Sequence, residues 1–202
     1  MYKRNMIIAI CGLAGAGKDT LASVLVEKHG FIKLSFGGIL KDMASMVFSW
    51  DRDMLEGVTS ESRVWREQVD PWWSQRLQIP HLTPRWVLQH MGTDLWRNHF
   101  HNDIWVACLE RKLQQHPHVV VTDCRFPNEV QMLKDHGATL VHIHRGVYPS
   151  WFMPYKTGEL VTPPSHVHAS EYAWIRTSFD VDVANDRDGM EHLEKVAKAL
   201  SI

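Results

Sequence analysis

A glycine-rich segment near the start of the chain has the composition of a loop that binds phosphate. Residues 12–20 read Gly-Leu-Ala-Gly-Ala-Gly-Lys-Asp-Thr and match the pattern GxxxxGK. Glycine lets the backbone curl so that its N–H groups point at phosphate oxygens, and the lysine can neutralise the β- and γ-phosphates of a nucleotide. A glycine-rich turn can also be purely structural, but a lysine at this point favours phosphate binding. We therefore predict that ATP is bound by Gly12, Ala14, Gly15, Ala16, Gly17, Lys18, Asp19 and Thr20.

The residue after the lysine departs from the usual pattern. Serine or threonine normally stands there and binds magnesium, whereas this chain has Asp19 and places the hydroxyl group at Thr20. Mg²⁺ prefers oxygen ligands and retains several water molecules when it is bound to protein. We predict that Mg²⁺ arrives with ATP and is held by Asp19 or Asp123, directly or through water.

A second candidate site for an anion lies near the middle of the chain. The segment that begins at Thr83 has the pattern of an α-helix that continues to about residue 96. Arg85, Gln89 and Thr93 are spaced four apart, so such a helix would place them on one face. A guanidinium, an amide and a hydroxyl group can bind a phosphate, a base edge and a sugar hydroxyl. The alternative is a polar stripe that only faces water.

An acid and an arginine follow the most β-branched segment of the chain. Asp123 comes directly after the predicted strand Val119–Thr122, and Arg125 lies two residues further on. An acid in this position is typical of a group near magnesium, and a neighbouring arginine can stabilise a migrating phosphoryl group. The alternative is an ion pair on the surface. The predicted catalytic residues are Lys18, Asp123 and Arg125.

Short apolar segments alternate with helical ones along the whole chain. Strands are predicted at 6–11, 31–36, 119–122, 139–144 and 179–184, and helices at 20–29, 38–48, 83–96, 103–115, 128–136 and 189–200. Buried strands that alternate with helices predict an α/β fold of the P-loop NTPase type, with a parallel five-stranded sheet and helices on both faces. We expect one domain over 1–202, with an acceptor-side insertion at 50–82 and a lid-like segment at 145–176.

The amino-acid composition argues against some classes of binding partner. The chain has 22 Lys plus Arg and 23 Asp plus Glu, so no overall charge attracts it to nucleic acid or to a membrane surface. The three cysteines show no metal-ligand spacing, and reduced thiols are typical of cytoplasmic proteins. The apolar run after Lys3 and Arg4 is short and leads into the glycine-rich loop, which argues against a signal peptide. We expect a cytoplasmic protein with small-molecule substrates.

Several segments together resemble the phage-type deoxynucleoside monophosphate kinases. The run Thr-Asp-Cys-Arg-Phe-Pro-Asn-Glu at 122–129 carries most of the resemblance, with the Gly-Lys-Asp-Thr end of the loop. The helix with Thr-Pro-Arg, Leu-Gln and Gly-Thr is similar too, as are the segments 36–41, 50–53, 102–105 and 168–171. The resemblance spans the chain in order from about residue 7 to residue 186.

The resemblance implies a nucleoside monophosphate kinase fold that uses ATP and magnesium, in the host cytoplasm if a phage encodes the protein. It leaves open whether the chain forms a homodimer. It implies acceptor-site roles for Lys41, Arg85, Gln89, Gly92, Thr93, Trp105, Asp123, Arg125 and Glu129. Trp105 would stack on the base, and Asn185 would pack near the adenine of ATP. Arg145 and Arg176 flank the lid-like segment, and closure would bring them over the phosphates.

The same residues also fit two alternative functions. A P-loop kinase of another small acceptor, such as phosphomevalonate, can share the Gly-Lys-Asp loop and would show no dependence on a base. A nucleotide-binding regulatory or motor module would hydrolyse ATP alone or with a macromolecular partner.

Overall fold

The structure is a computed structural model that describes residues 5–165, 167, 169–186 and 189–202. Its strands are β1 (Met6–Cys11), β2 (Ile32–Leu34), β3 (His118–Val121), β4 (Thr139–His144) and β5 (Val181–Ala184). Its α-helices are α1 (Lys18–His29), α2 (Gly38–Phe48), α3 (Arg52–Glu56), α4 (Ser60–Glu67), α5 (Pro71–Leu77), α6 (Pro84–Gln89), α7 (Ile104–Leu113), α8 (Pro127–Asp135), α9 (Phe152–Thr157), α10 (Ala169–Tyr172) and α11 (Glu191–Leu200). A π-helix (His90–Phe100) follows α6. His168, within one of the segments that carry the resemblance, lies outside the described residues.

The five strands form one parallel sheet in the order β2-β3-β1-β4-β5. This confirms the predicted parallel five-stranded α/β fold. The strands β1, β3 and β4 are apolar and almost wholly buried because they are covered on both faces, whereas the edge strands β2 and β5 are more exposed. In a parallel sheet all carboxyl ends lie on the same edge, so the loops after β1, β3, β4 and β5 meet there. The candidate loop at residues 12–17 follows β1, the central strand.

The chain divides into two compact units. The first contains the sheet and comprises residues up to 35 together with 109–202, and the second comprises 36–108. In the first unit α1 and α11 pack together on one face of the sheet, where Leu21, Leu25 and Leu193 join Ile8 and Ile143 in a buried core. This core holds the strands that end at the candidate loop.

The second unit has a hydrophobic core of its own, built around Trp50, Leu55, Leu82 and Val87. Three of these residues belong to the segment 50–82, which is polar, rich in tryptophan and interrupted by Pro71 and Pro80, a pattern that predicts an insertion rather than a core. The segment instead forms α3, α4 and α5, and its tryptophans pack against one another and against Phe48. The roles of 50–82 as an acceptor-side insertion and of 145–176 as a lid stay predictions.

The helix predicted over 83–96 changes its geometry at residue 90. Residues Pro84–Gln89 are α-helical, but His90–Phe100 forms a π-helix with a wider turn. Gly92 lies in this turn, and its carbonyl oxygen accepts a hydrogen bond from Trp105 Nε1 at 2.9 Å. A side-chain donor at a helix carbonyl is a known cause of departures from α-helical geometry. Because the turn widens, Gln89 and Thr93 are not aligned as an α-helix would align them.

A buried histidine connects the sheet with the segment that follows β4. His142 is 1% exposed, and its Nδ1 lies 2.9 Å from Asp182 Oδ2 on the neighbouring β5. Asp182 Oδ1 also lies 3.0 Å from His144 Nε2. The rings of Tyr148, Phe152, Trp174 and Phe179 surround the imidazole at centroid distances of 5.2–6.3 Å. Parts of the lid-like segment are therefore packed on the sheet.

We expect this cluster to make the protein less stable in mild acid. Burial lowers the pKa of His142 below its ordinary value, although the hydrogen bond and charge of Asp182 oppose the shift. As pH falls through about 6.5, the unfolded chain takes up a proton that the folded protein rejects. The stability that the buried, neutral His142 contributes is complete above about pH 6.5. Below that pH it declines by at most about 1.4 kcal/mol per pH unit.

Urea denaturation at about pH 7.5 and about pH 5.5 measures this effect. Burial would raise the pKa of Asp182, but the hydrogen bond and charge of His142 outweigh it and lower that pKa, so Asp182 titrates below this range. His142→Phe keeps a ring among the aromatic side chains and should reduce the pH dependence. Equal pH dependence in the two proteins would show that His142 is not the cause.

None of the helices formed by the described residues is long and apolar enough to cross a membrane.

Candidate active site

The glycine-rich loop lies against the ends of β4 and β5, where two of its glycines have no room for a side chain. A Cβ atom on Gly12 would lie 2.2 Å from the carbonyl oxygen of Ile143 in β4. A Cβ atom on Gly17 would lie 2.4 Å from Nδ2 of Asn185, and Gly17 also has φ +99°. The first glycine of the GxxxxGK pattern is therefore required by close packing on the backbone of β4, and the last by its left-handed conformation and the adjacent Asn185 side chain.

Lys18 begins α1 and folds back across the loop. Its Nζ donates hydrogen bonds to the carbonyl oxygens of Gly12 at 2.8 Å and Leu13 at 2.9 Å. Burial lowers the pKa of Lys18, while the charge of Asp19 partly opposes the shift. The ammonium group is thus held within the loop at the N-terminus of α1. Its charge and the positive end of the helix dipole both favour the binding of an anion there.

Asn185 follows β5 and stabilises the loop from outside. It is 7% exposed, and its Nδ2 donates to the carbonyl oxygen of Ala16 at 3.0 Å. Its backbone N–H donates to the carbonyl of His144 at 2.7 Å. The side chain predicted to lie near adenine is therefore engaged in holding the loop, and its contact with ATP stays a prediction.

Asp19 accepts hydrogen bonds from two residues that were not predicted from the sequence. Its Oδ1 accepts from Lys33 Nζ at 2.8 Å and from Thr122 Oγ1 at 2.9 Å. Burial would raise the pKa of Asp19, but the hydrogen bond and charge of Lys33 and the Thr122 hydroxyl outweigh it, so the pKa is lowered. Lys33 lies on β2 and Thr122 follows β3, and only the pairing of these two strands brings them together.

Two carboxylates near the loop fit the way in which proteins hold Mg²⁺. Asp19 remains ionised, and Asp123 follows Thr122 at the same edge of the sheet. Mg²⁺ is usually bound through one or two carboxylates together with phosphate oxygens and water. Among the residues that the structure describes, no group of three or more His, Cys, Asp or Glu side chains has the arrangement of a metal site. One or two carboxylates such as Asp19 and Asp123 suit a metal ion that arrives with its nucleotide.

The segment after Asp123 is shaped by Glu129. This side chain is 2% exposed, and its Oε2 accepts from the backbone N–H groups of Arg125 at 2.7 Å and Phe126 at 3.1 Å. Glu129 thereby caps the N-terminus of α8. The Arg125 side chain is exposed, with Nη1 3.5 Å from Glu171 Oε1. Glu129 has a clear structural task, and its acceptor-site role stays a prediction.

The remaining acceptor-site candidates belong to the second unit. Lys41 Nζ lies 2.5 Å from Glu56 Oε2, and Arg85 Nε lies 3.3 Å from Glu67 Oε1. Gln89 and Thr93 are exposed. Gly92 packs closely on α2, where a Cβ atom would lie 2.7 Å from Leu40 Cδ2.

Trp105 differs most from its predicted role. It is 4% exposed, and its Nε1 donates to the carbonyl oxygen of Gly92. Its ring centroid lies 6.0 Å from that of Trp96. A stacking platform has to present an open ring face, and the Trp105 ring is covered. Base stacking by Trp105 would require its ring to become uncovered. This role stays a prediction.

Arg176, expected to close over the phosphates, is held inside its own segment. Its Nε and Nη2 donate to the carbonyl oxygens of Tyr155 and Leu160, each at 2.9 Å. Its guanidinium carbon lies 4.2 Å from the centroid of the Tyr155 ring. Arg176 would have to give up all three contacts to reach a phosphate, so it stabilises the fold of the segment between β4 and β5.

Comparisons with known proteins relate the chain to one family. The family model for deoxynucleotide monophosphate kinase matches residues 74–150. A protein of Acanthamoeba polyphaga mimivirus, provisionally named a deoxynucleotide monophosphate kinase, is 31% identical over 154 residues, covering 69% of this chain and 74% of the relative. The deoxynucleoside-5'-monophosphate kinase of Escherichia phage T5 is 43% identical over 56 residues, covering 27% of this chain and 22% of that protein.

A solved sugar kinase of Janibacter sp. HTCC2649 aligns with 97% of this chain and 94% of its own, at 13% identity and a TM-score of 0.44. That similarity is too low to add to the argument. The mimivirus protein is matched over most of its length, and the family model covers α6, the π-helix, β3 and α8. The chain therefore belongs to the deoxynucleotide monophosphate kinase family.

Proposed function

We propose that the protein transfers the γ-phosphoryl group of ATP to the 5'-phosphate of deoxynucleoside monophosphates, giving ADP and deoxynucleoside diphosphates. The observation that carries the proposal is the GxxxxGK loop in a member of this family, with Lys18 held within the loop at the start of α1. In the reaction an oxygen of the acceptor phosphate attacks the γ-phosphorus. The bond from that phosphorus to the β–γ bridging oxygen breaks, and ADP leaves with the electron pair.

The side chains of the first unit contribute charge and position to this transfer rather than covalent chemistry. The loop N–H groups and Lys18 bind the phosphates of ATP, and Lys18 exchanges the carbonyls of Gly12 and Leu13 for phosphate oxygens. Asp19 and Asp123 would hold Mg²⁺, which neutralises phosphate charge when it is bound. Arg125 is proposed to stabilise the migrating phosphoryl group, and closure of 145–176 would exclude water.

Lys33 and Thr122 are proposed to orient Asp19 for this task. Both donate to the same oxygen, Oδ1, and together they keep the carboxylate ionised. Asp19 therefore offers a charged oxygen donor at the position where many phosphate loops have a hydroxyl group.

A coupled ADP-release assay with ATP and Mg²⁺ tests the proposed function. The acceptors to compare are dAMP, dGMP, dCMP and dTMP with their ribonucleotide counterparts. We expect strong stimulation of ADP release by at least one deoxynucleotide and little release without an acceptor. If none of them stimulates a protein that still binds ATP, the proposal is wrong, and phosphomevalonate or a macromolecular partner would be tested next.

A further inference from the structure

The two hydrogen-bond donors of Asp19 converge on one of its two carboxylate oxygens. Lys33 Nζ at 2.8 Å and Thr122 Oγ1 at 2.9 Å both bind Oδ1. A carboxylate oxygen has about two lone-pair positions, so these two donors saturate Oδ1. The other oxygen, Oδ2, accepts no hydrogen bond from any group that the structure describes. A carboxylate held in this way can bind a cation through one oxygen but not through both.

The sheet holds both donors in place. Thr122 directly follows β3 and is 8% exposed. Lys33 lies on β2, the edge strand that is hydrogen-bonded to β3. Lys18, another cation near Asp19, directs its ammonium group to carbonyl oxygens of the loop instead. The saturation of Oδ1 is therefore a product of strand pairing, and it does not depend on a bound nucleotide.

Magnesium and calcium differ in what they require of a carboxylate. Mg²⁺ demands a nearly ideal octahedron of about six oxygen atoms, and it usually takes only one or two carboxylates from the protein together with phosphate and water. Ca²⁺ is larger, takes about six to eight oxygen atoms and readily binds a carboxylate through both oxygens. Saturation of Oδ1 removes that second contact, which the larger ion needs more.

We propose that Lys33 and Thr122 make the nucleotide site select Mg²⁺ over Ca²⁺ by restricting Asp19 to a single metal-binding oxygen. This inference rests on the proposed function, because it presumes that Asp19 holds the metal ion of the nucleotide. Lys33 and Thr122 are positioning residues in this scheme, since they act on the metal ion through Asp19. The carboxylate itself, in contact with the ion, is the ligand.

The charge of Lys33 does not explain such a preference. Its ammonium group disfavours any divalent cation near Asp19, and the repulsion is nearly the same for two ions of equal charge at a similar distance. Loss of the charge therefore changes the affinity for both ions by a similar factor. Loss of a donor to Oδ1 changes the ratio of the two affinities, because it frees a second oxygen for the larger ion.

The test measures the Kd for ADP by calorimetry in saturating Mg²⁺, in saturating Ca²⁺ and in EDTA. Lys33→Met removes one donor together with its charge, and Thr122→Val removes the other donor without a change in charge. We expect wild type to bind ADP more tightly in Mg²⁺ than in Ca²⁺. In each variant the ratio of the two affinities should fall about tenfold, the low end of the usual effect of losing a partner of a metal ligand.

Two control variants leave the donors of Asp19 in place. Thr122→Ser retains the hydroxyl group and should keep the wild-type ratio. Lys28→Met removes one positive charge from α1, where Lys28 pairs with Glu194, and should keep the ratio too. The inference is wrong if folded Thr122→Val has the wild-type ratio. It is equally wrong if Lys33→Met changes both affinities by the same factor, since that result indicates an effect of charge alone.

Folding of the variants does not decide the outcome. The side chains of Lys33 and Asp19 are 41% and 65% exposed, and exposed ion pairs contribute little to stability. Lys33→Met should therefore fold with nearly the wild-type Tm. If Thr122→Val does not fold, the ratio measured for Lys33→Met decides.

Binding of ADP without an acceptor separates this inference from the proposed function. If no deoxynucleotide is phosphorylated and the ratio still falls in the variants, the metal selection stands and the proposed function fails. If deoxynucleotides are phosphorylated and the ratio is unchanged, only this inference fails. Equal binding of ADP by wild type in Mg²⁺, Ca²⁺ and EDTA would contradict the metal-binding role of Asp19 and this inference with it.

Discussion

Replacing Lys18 by methionine is expected to reduce kcat about a hundred- to a thousandfold, the usual effect of removing one preorganised group that stabilises transferring charge. The ammonium lies inside the loop, bonded to the carbonyls of Gly12 and Leu13. It is therefore already in the loop when ATP arrives. Initial rates at saturating ATP and deoxynucleotide measure the effect.

Stability should change little in the Lys18 variant. Burial already disfavours the charged form of Lys18, so removing the charge offsets the loss of its two hydrogen bonds to carbonyls. Lys28→Met is the matched control on the same helix, because Lys28 forms an exposed ion pair with Glu194 at 2.6 Å and such pairs contribute little. Near-normal turnover by folded Lys18→Met would refute the role assigned to the loop.

Replacing Gly12 by alanine is expected to abolish ATP binding and to lower the free energy of unfolding by about 1–3 kcal/mol, as overpacking does. The added methyl group would lie 2.2 Å from the carbonyl oxygen of Ile143 and 3.3 Å from Ala16 Cβ. Ile143 belongs to β4, which is paired on both sides. The strand cannot yield, so the loop has to move. Urea denaturation and titration with a fluorescent ATP analogue measure the two effects.

Gly30→Ala separates this clash from a general effect of losing a glycine. Gly30 ends α1 with φ +72°, and a Cβ atom added there would meet no atom of a non-neighbouring residue within 4 Å. That variant should lose only about 1 kcal/mol through backbone strain and should bind ATP normally. Wild-type stability and ATP affinity in Gly12→Ala would contradict the close packing between the loop and β4.

Local patterns in the sequence were sufficient to predict the parallel sheet and the glycine-rich loop. Strand β1 was predicted with the same bounds as observed, Met6–Cys11, because an apolar run followed by a glycine-rich loop and a helix has few alternatives. Helix α1 begins two residues earlier than predicted and ends at the predicted residue, His29. These features depend on neighbouring residues, so the sequence alone can predict them.

The second unit shows where such patterns fail. The segment 50–82 lacks a clear period, yet Trp50, Leu55 and Leu82 form the centre of a core. Their contacts join helices that are short and irregularly spaced, so no periodic signal appears. The π-helix at His90–Phe100 was missed for a related reason. The Gly92 carbonyl is bonded by Trp105, a residue beyond the helix itself, and local propensity does not include that contact.

By itself the sequence determined the residue types that chemistry requires: a lysine in a glycine-rich loop, acids and an arginine after buried strands, and the order of elements that a parallel sheet needs. Only the tertiary structure decided which other side chains contact these residues and hold them in place. Lys33 and Thr122 meet Asp19 because β2 and β3 are neighbours, and Asn185 reaches Ala16 because the loop lies beside the end of β5. Such contacts join residues far apart in the chain, and strand order and helix packing, which no local pattern encodes, bring them together.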